Sequence, residues 1–441
     1  FQFQNGHYRN GEVRPETIKY LKPFKGAVYR YAGGNEFEWE NAVGSIDKRK
    51  RIFANFEGMA NPEFGPLEFF DFIKNVESKA VILVNVAGKR LKNGDQDAMI
   101  KDNLKYFKWL ATNYPRCVGG ADCPITYFEL GNEVDWEKGL EWTGAYYSSR
   151  VRPLINKAKN LYPEIKFAVV GRTAPWGNSI QSKGGGFDSV VASELARNVD
   201  AVTFHPYYDG LPIPVMKSYS DKLVKEYQIF NPHVKVLVTE HGRWPSVPKT
   251  GKWENNWYQA SGSGAALSTA DFTLMTITDN SVAASMWHSL AVRGPWQLFH
   301  MDKSNDTIYP SAVYWSLRTL RESFLEDAVK VTPSLVHGKS YSGGYDLRLV
   351  AMRDKLRNVS LMGVNRDIKS KAVSMEINGV KFQKASVEVN FLQADEIGSD
   401  NTDFKPNKFQ METTSTTYSS DVTSIICIPP KSTFSILVKN K

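Results

Sequence analysis

Hydrophobic residues over the first 325 positions fall into two alternating patterns. Short, unbroken apolar runs recur at 27–31, 80–86, 125–130, 166–170, 201–204, 234–239 and 282–287. Between them, apolar residues take helical spacing: Phe69, Phe70, Ile73 and Val76 in one stretch, Leu104, Phe107, Leu110 and Ala111 in another. The stretches 141–161 and 260–278 read as helices as well. Strands separated by helices predict parallel βαβ units. Seven strands are legible, and an eighth is expected at Phe1-Gln2-Phe3 or upstream of it, which predicts a closed (β/α)8 TIM barrel. The rival is an open doubly wound sheet, which would advertise a glycine-rich phosphate loop after an early strand. Gly33-Gly34 does follow a strand, but no G-x-G-x-x-G accompanies it.

Beyond residue 325 the helical spacing stops. Short strand-like runs at 345–352, 358–364, 372–377, 386–393, 423–428 and 434–438 are separated by Gly343-Gly344, Asn378-Gly379 and Pro429-Pro430. Asn-Gly between two strands predicts a hairpin, and repeated short strands without helices predict an all-β sandwich. The fold class expected is therefore α/β, with a barrel over 1–325 and a β-sandwich over 326–441.

Composition narrows the function classes. Of 441 residues, 42% are hydrophobic and 23% charged, enough apolar surface for large cores and too little charge for wholesale disorder. No apolar run reaches the ~18 residues of a membrane span. The net charge of +8 is spread along the chain rather than gathered on one segment, which argues against a nucleic-acid partner. Its one dense run is Lys48-Arg49-Lys50-Arg51. The first residue is Phe1 rather than Met, as in a chain that has been processed or trimmed. Cys117 and Cys123 bracket a Gly-rich stretch and are read either as a small disulfide loop or as two unrelated thiols; Cys427, in an apolar run, reads as a buried small hydrophobe. No Cys/His spacing resembles a zinc site, so no structural metal is expected.

In a barrel of this kind chemistry sits where strands end at the C-terminal face. Two strand ends place a Glu just after an apolar run: Phe128-Glu129-Leu130-Gly131-Asn132-Glu133 at the fourth barrel position, and Val238-Thr239-Glu240-His241-Gly242 at the seventh. Two carboxylates at one mouth are the equipment for cleaving a glycosidic bond, one protonated to donate to the leaving oxygen and one ionised to attack. A single strand-end Glu reads more simply as a loop salt bridge; two with the following companions do not. Asn132 can hydrogen-bond a sugar hydroxyl, or cap its loop. His205 and Tyr207, after the sixth strand, can tune and hold a carboxylate, although a buried, satisfied His is the plainer reading. Trp287, ending the eighth, offers a flat platform for a sugar ring, or is core. Arg30, ending the second and followed by Asn35, can keep the nucleophile ionised.

Taken in order, Arg30, Gly131-Asn132-Glu133, His205-x-Tyr207, Thr239-Glu240 and Trp287 resemble the fingerprint of glycoside hydrolase clan A. The resemblance implies a (β/α)8 retaining glycosidase with Glu133 as acid/base and Glu240 as nucleophile. Arg30-Tyr31-Ala32-Gly33-Gly34-Asn35 with Trp39, and Gly131-Asn132-Glu133-Val134-Asp135, are similar to segments of the family-51 α-L-arabinofuranosidases, although Ala32 stands where that family has Pro and Trp136 follows Asp135 directly. Agarases and related galactanases of the clan share a Gly-Gly-Asn segment and the barrel-plus-sandwich layout.

The expectation is a retaining hydrolase of a plant or algal cell-wall polysaccharide, secreted or held in the periplasm or at the cell surface. It needs no cofactor, since acid/base and nucleophilic catalysis suffice. The basic balance and Lys48 to Arg51 favour an anionic, sulfated galactan such as carrageenan or porphyran. The alternatives are an α-L-arabinofuranosidase acting on arabinan or arabinoxylan, a transglycosylase, and a non-catalytic carbohydrate-binding barrel. The sandwich is read as structural rather than as a sugar-binding module.

Overall fold

The computed structural model describes residues 7–440 apart from 10, 32–33, 36, 55–57, 61, 89–93, 115–117, 119–122, 138, 173–185, 209–212, 245–257, 291–295, 303, 305, 332–339, 342–343, 368, 370, 377–384, 394–399, 403–404 and 419–422. Two compact units are present. One runs to Tyr207 and adds Lys217–His241 and Ser281–Arg293; the other comprises Tyr208–Met216, Gly242–Asn280 and Gly294–Lys441.

The first unit is built on seven parallel strands: β1 (Val28–Tyr31), β2 (Lys79–Val84), β3 (Ile125–Leu130), β4 (Phe167–Val169), β5 (Ala201–Phe204), β6 (Lys235–His241) and β7 (Val282–Trp287). They lie side by side in chain order, and the edge strands β1 and β7 approach each other, so the sheet curls nearly closed. These are the seven strands read from the apolar runs, at barrel positions two to eight; Phe1-Gln2-Phe3 lies outside the described residues. The runs are unbroken because both faces are covered: in β2 every residue after Lys79 is buried, and β5 is buried throughout.

The helices between strands carry their own start signals. Helix α1 (Pro66–Asn75) has Pro66 in its first turn, and the Glu68 carboxylate accepts from Gly65 N at 2.8 Å. Asp95 accepts from Asp97 N at the head of α2 (Gln96–Asn113), which buries Met99, Asn103, Tyr106, Phe107 and Leu110 along one stripe. Thr143 caps α3 (Gly144–Leu161). Pro153 inside α3 cannot donate to the Ser149 carbonyl one turn back. The side chain of Gln96 donates to that carbonyl instead, at 2.9 Å. Nearby, Arg150 is buried against backbone carbonyls: Nε donates to Val86 O at 2.6 Å, NH2 to Ala87 O at 3.1 Å and to Gly94 O at 2.9 Å, and the guanidinium lies over Trp142. It ties the segment that follows β2 to α3. The remaining crossovers use α4 (Phe187–Leu195), α5 (Ile213–Gln228) and α6 (Ser263–Ile277).

In the second unit, six antiparallel strands are ordered Val329–Val331, Leu347–Arg353, Val359–Asn365, Ser432–Asn440, Ala385–Gln393 and Glu412–Tyr418. Alternation sorts their side chains. Leu347, Leu349 and Ala351 join Phe434, Ile436 and Val438 on one face, together with Ile428 from a two-stranded second sheet. Val350, Met352, Met362 and Val364 face the other way, onto Leu267, Ala270 and Leu274 of α6 and Leu320 of α7 (Ala312–Glu322). All six expected strands are present. The Thr-rich strand Glu412–Tyr418 was not legible because Glu412 to Thr417 are exposed and show no apolar alternation.

Two expectations are corrected. Lys371–Glu376 and Ala385–Gln393 do not pair across Asn378-Gly379: the former pairs with Thr423–Ile428, the latter with Ser432–Asn440 and Glu412–Tyr418, so the intervening residues, themselves outside the described set, join two sheets. Cys427 is exposed, because the pleat turns Ile428 inward. Cys117 is outside the described residues, so its pairing with Cys123 is as well. No helix among the described residues is long and apolar enough to cross a membrane.

Replacing Arg150 by Met should leave three carbonyls short of a donor and lower stability by about 2–4 kcal/mol. Thermal or urea unfolding would show this as a lower midpoint; an unchanged midpoint would mean that the tie to α3 contributes nothing.

Candidate active site

The C-terminal ends of β1, β3, β5, β6 and β7 bring together one cluster of polar side chains. At its base lies Glu129 of β3, fully buried and facing the barrel interior. Both of its oxygens accept from Arg30 of β1, from Nε at 2.5 Å and from NH2 at 3.0 Å. Two further guanidinium protons are committed in the same way: NH1 donates to Glu240 Oε1 at 2.6 Å and NH2 to Asn132 Oδ1 at 2.6 Å. A planar fork of donors suits this task, since one cation orients three acceptors at once. Because the Asn132 oxygen is taken, its amide presents N–H to a ligand.

The loop carrying Glu133 is held under strain. Glu133 has φ +44, a left-handed conformation that costs a non-glycine residue about 1–3 kcal/mol. Gly131 before it has φ +88, and a Cβ there would stand 2.7 Å from Val86 Cγ2. The loop is fixed from both sides. The carbonyl of Glu133 accepts from Trp136 N at 2.9 Å and Glu137 N at 2.8 Å. Asn35 grips the neighbouring peptide: its Oδ1 accepts from Asn132 N at 2.8 Å, and Nδ2 donates to Asn132 O and to Glu137 Oε2, each at 2.5 Å. Asn35 is fully buried. It was expected to bind substrate, and its amide is instead spent on the Glu133 loop.

Glu133 and Glu240 converge. One oxygen of each, together with His205 Nδ1, forms a triangle whose corners lie within 4.8 Å of one another. His205 Nδ1 is 2.8 Å from Glu133 Oε1. Tyr207 donates its hydroxyl to Glu240 Oε2 at 2.8 Å and meets His288 Nδ1 at 2.7 Å. With the single hydroxyl proton given to Glu240, the second contact requires the proton on His288. Burial opposes the charge on Glu240, but the neighbouring histidines, the Arg30 guanidinium and the Tyr207 hydroxyl outweigh it and hold the carboxyl well below the usual range. Burial pushes His288 down to about 4 and His241 to about 3, while burial and then the Glu240 carboxylate raise the Tyr207 hydroxyl well above its ordinary value. Glu133, His205 and Glu240 are also the one set of side chains, among the described residues, with the spacing to hold a metal ion. Glu133 Oε1 is bonded to His205 and the two Glu240 oxygens to Arg30 and Tyr207, and the guanidinium supplies the local positive charge.

The structure thus brings Arg30, Asn132, Glu133, His205, Tyr207 and Glu240 into one network and places Asn35 behind it. Trp287 ends β7, half-buried, with its indole N–H enclosed and unpartnered among the described residues. Sequence reasoning missed Glu129 and His288. Glu129 carried a signal, as a lone charge inside the apolar run Phe128 to Leu130; His288, one residue past a strand end, carried none. Lys48 to Arg51 fare differently. Arg49 is enclosed, donating to Glu68 at 2.5 Å and to the carbonyls of Gly44, Pro62 and Glu63. Lys48, Lys50 and Arg51 are exposed.

Comparison with known proteins places this cluster in context. Residues 20–209 match the family model of the α-L-arabinofuranosidase 1 domain. No curated protein matches the chain. Among solved structures, an α-L-arabinofuranosidase from Thermotoga maritima in complex with arabinose is similar over 100% of this chain and 93% of its own, with 17% identity and a TM-score of 0.79. The GH51 α-L-arabinofuranosidase of Thermotoga petrophila is 18% identical over 98% of this chain and 91% of its own, with a TM-score of 0.77. The GH51 arabinofuranosidase of Xanthomonas axonopodis pv. citri is 19% identical over 97% and 90%, with a TM-score of 0.71. At these identities the likeness is one of fold, a barrel followed by a β-sandwich. The family model, the fold and the ordered motifs together support a clan A glycoside hydrolase that resembles the family-51 α-L-arabinofuranosidases.

Proposed function

We propose that this protein is a retaining α-L-arabinofuranosidase that removes arabinofuranosyl units from arabinan or arabinoxylan. The observation that carries the glycosidase reading is the convergence of Glu133 and Glu240 within 4.8 Å, the short carboxyl separation of retaining rather than inverting enzymes. The family model over residues 20–209 favours an arabinofuranoside over the anionic galactan. The case for the galactan rested on the basic balance and the run Lys48 to Arg51, and Arg49 of that run is consumed by Glu68 and backbone carbonyls.

Glu240, kept ionised by Arg30 and Tyr207, attacks the anomeric carbon and forms a glycosyl ester. Glu133, across the gap and bonded to His205, gives its proton to the departing oxygen. In the second step Glu133 takes a proton from water, which opens the ester with overall retention. Asn132, its oxygen fixed by Arg30, donates to a sugar hydroxyl beside the reacting carbon, and Trp287 packs on the ring.

Glu240→Ala should lower kcat roughly 10^4-fold or more. Added azide should restore turnover with an inverted glycosyl azide product. Glu133→Ala should retain much of its activity on 2,4-dinitrophenyl arabinofuranoside and lose it on substrates with poor leaving groups. Equal sensitivity of the two variants to leaving-group quality would overturn the roles, and failure of the wild type on α-L-arabinofuranosides alongside turnover of another glycoside would overturn the substrate.

Because the Glu240 carboxyl is held below its ordinary value of 4.5, the acid limb of kcat/KM should lie below pH 4.5. Tyr207→Phe removes a donor to the ionised form and should move that limb upward by about half to one pH unit. A limb that stays in place would show that the Tyr207 hydroxyl does not hold the nucleophile.

A further inference from the structure

Thr239 and Glu129 belong to a chain of hydrogen bonds that the steps above do not use. Thr239 Oγ1 donates to Glu129 Oε1 at 3.3 Å and lies 2.7 Å from His205 Nε2; on the other side of the ring, His205 Nδ1 lies 2.8 Å from Glu133 Oε1. The direction of these bonds follows from counting protons. Glu129 is gripped by two guanidinium donors of Arg30 and, as a carboxylate, has only lone pairs to offer. The Thr239 hydroxyl proton therefore points to Glu129. With it spent, Thr239 can only accept from His205, so Nε2 carries a hydrogen. A ring protonated at Nε2 leaves two states for its other face. Either Nδ1 is bare and accepts from the Glu133 carboxylic acid, or Nδ1 is protonated and donates to the Glu133 carboxylate. In both, the Glu133–His205 contact contains one proton.

We propose that Glu129 and Thr239 are positioning residues which, through His205, keep one proton shared between His205 Nδ1 and Glu133 Oε1, so that the acid is loaded before a glycoside binds. This rests on the reading of Glu133 as the acid/base. The shared proton leaves with the aglycone oxygen in the first step and is replaced from water in the second. Without the acceptor at Nε2, neutral His205 is free to take the opposite tautomer; its Nδ1–H then bonds an ionised Glu133, and because Nε2 is bare that proton could be given up only by forming an imidazolate, so none is available to the leaving group.

The surrounding charges are consistent with this arrangement. Glu240 from β6 lies 4.0 Å from His205 Nδ1, and Glu129 from β3 lies 4.0 Å from Nε2. Burial and Arg30 from β1 oppose a charge on the ring; Glu240 and Glu133 outweigh them, and the imidazole is raised above its ordinary value. Tyr207, on the same segment as His205, and His288 at the end of β7 face Glu240 from the other side.

The test combines a spectrum with kinetics. In ¹⁵N-histidine-labelled wild type, long-range ¹H–¹⁵N correlations should show His205 Nε2 protonated from pH 5 to pH 8, and Thr239→Val should shift the ring toward the opposite tautomer. In kinetics, Thr239→Val should move the basic limb of kcat/KM to lower pH by about one unit. It should cost roughly tenfold at neutral pH on glycosides with poor leaving groups, one pKa unit being a factor of ten. Turnover of 2,4-dinitrophenyl arabinofuranoside should change little, and Thr239→Ser should restore the wild-type profile. An unprotonated Nε2 in the wild type overturns the proposal. So does a Thr239→Val variant that loses activity equally on all leaving groups with its basic limb unmoved. Should the wild type hydrolyse no glycoside, the acid/base reading fails, and the tautomer of His205 still decides whether Thr239 sets it.

Discussion

One buried ion pair organises the site: the Arg30 guanidinium laid across the Glu129 carboxylate inside the barrel. Two charges removed from water are costly, and the cost is offset only where every remaining donor finds a partner. Arg30 offsets much of it by spending two further N–H groups on Glu240 and Asn132. The pair that anchors the barrel interior is thereby also the ruler for the cleft. It sets where the nucleophile lies, which end of the Asn132 amide faces outward, and where positive charge is held. Removing Arg30 would strip both Glu129 and Glu240 of their shared cation.

Around that anchor, β1, β3 and β6 converge on a single point because the sheet is parallel and curls nearly closed. Parallel strands all end on the same side, so residues far apart in the chain meet there without long loops. The Glu133 loop departs from relaxed geometry. Its left-handed backbone persists because Asn35 and the amides of Trp136 and Glu137 hold it from both sides. Strain at a reacting group is tolerable where the surroundings over-determine it. Rigidity here comes from buried Asn35, whose amide is committed to the Asn132 peptide and to the Glu137 carboxylate.

The two carboxylates differ in their surroundings more than in their distance from the surface. Glu240 meets a fixed cation and a hydroxyl donor, which favour the anion; Glu133 meets an imidazole that can hold or return a proton. The same functional group is thus placed in two environments that suit opposite tasks. His288 contributes at one remove, by presenting its proton to Tyr207 so that the phenol can donate to Glu240.

Much of this was legible before any fold was known. Seven apolar runs located seven barrel strands, because a strand buried on both faces admits few polar residues. Glu133 and Glu240 were legible as carboxylates placed just past such runs. Glu129 was not assigned, since a charge within a strand acquires meaning only when the cation above it is known, and Arg30 stands 99 residues away in sequence. Asn35 was misread as facing substrate, because a sequence does not tell an amide that lines a cleft from one that clasps a loop. The hairpin at Asn378-Gly379 was misread for a related reason: a turn signal is local, while the choice of partner strand depends on which face each strand must bury. Local pattern therefore determined the elements and the residue types of the chemistry. The hydrogen-bond directions, the charge on each group and the purpose of Arg49 were decided by contacts between residues distant in sequence, which exist only once the sheet has closed.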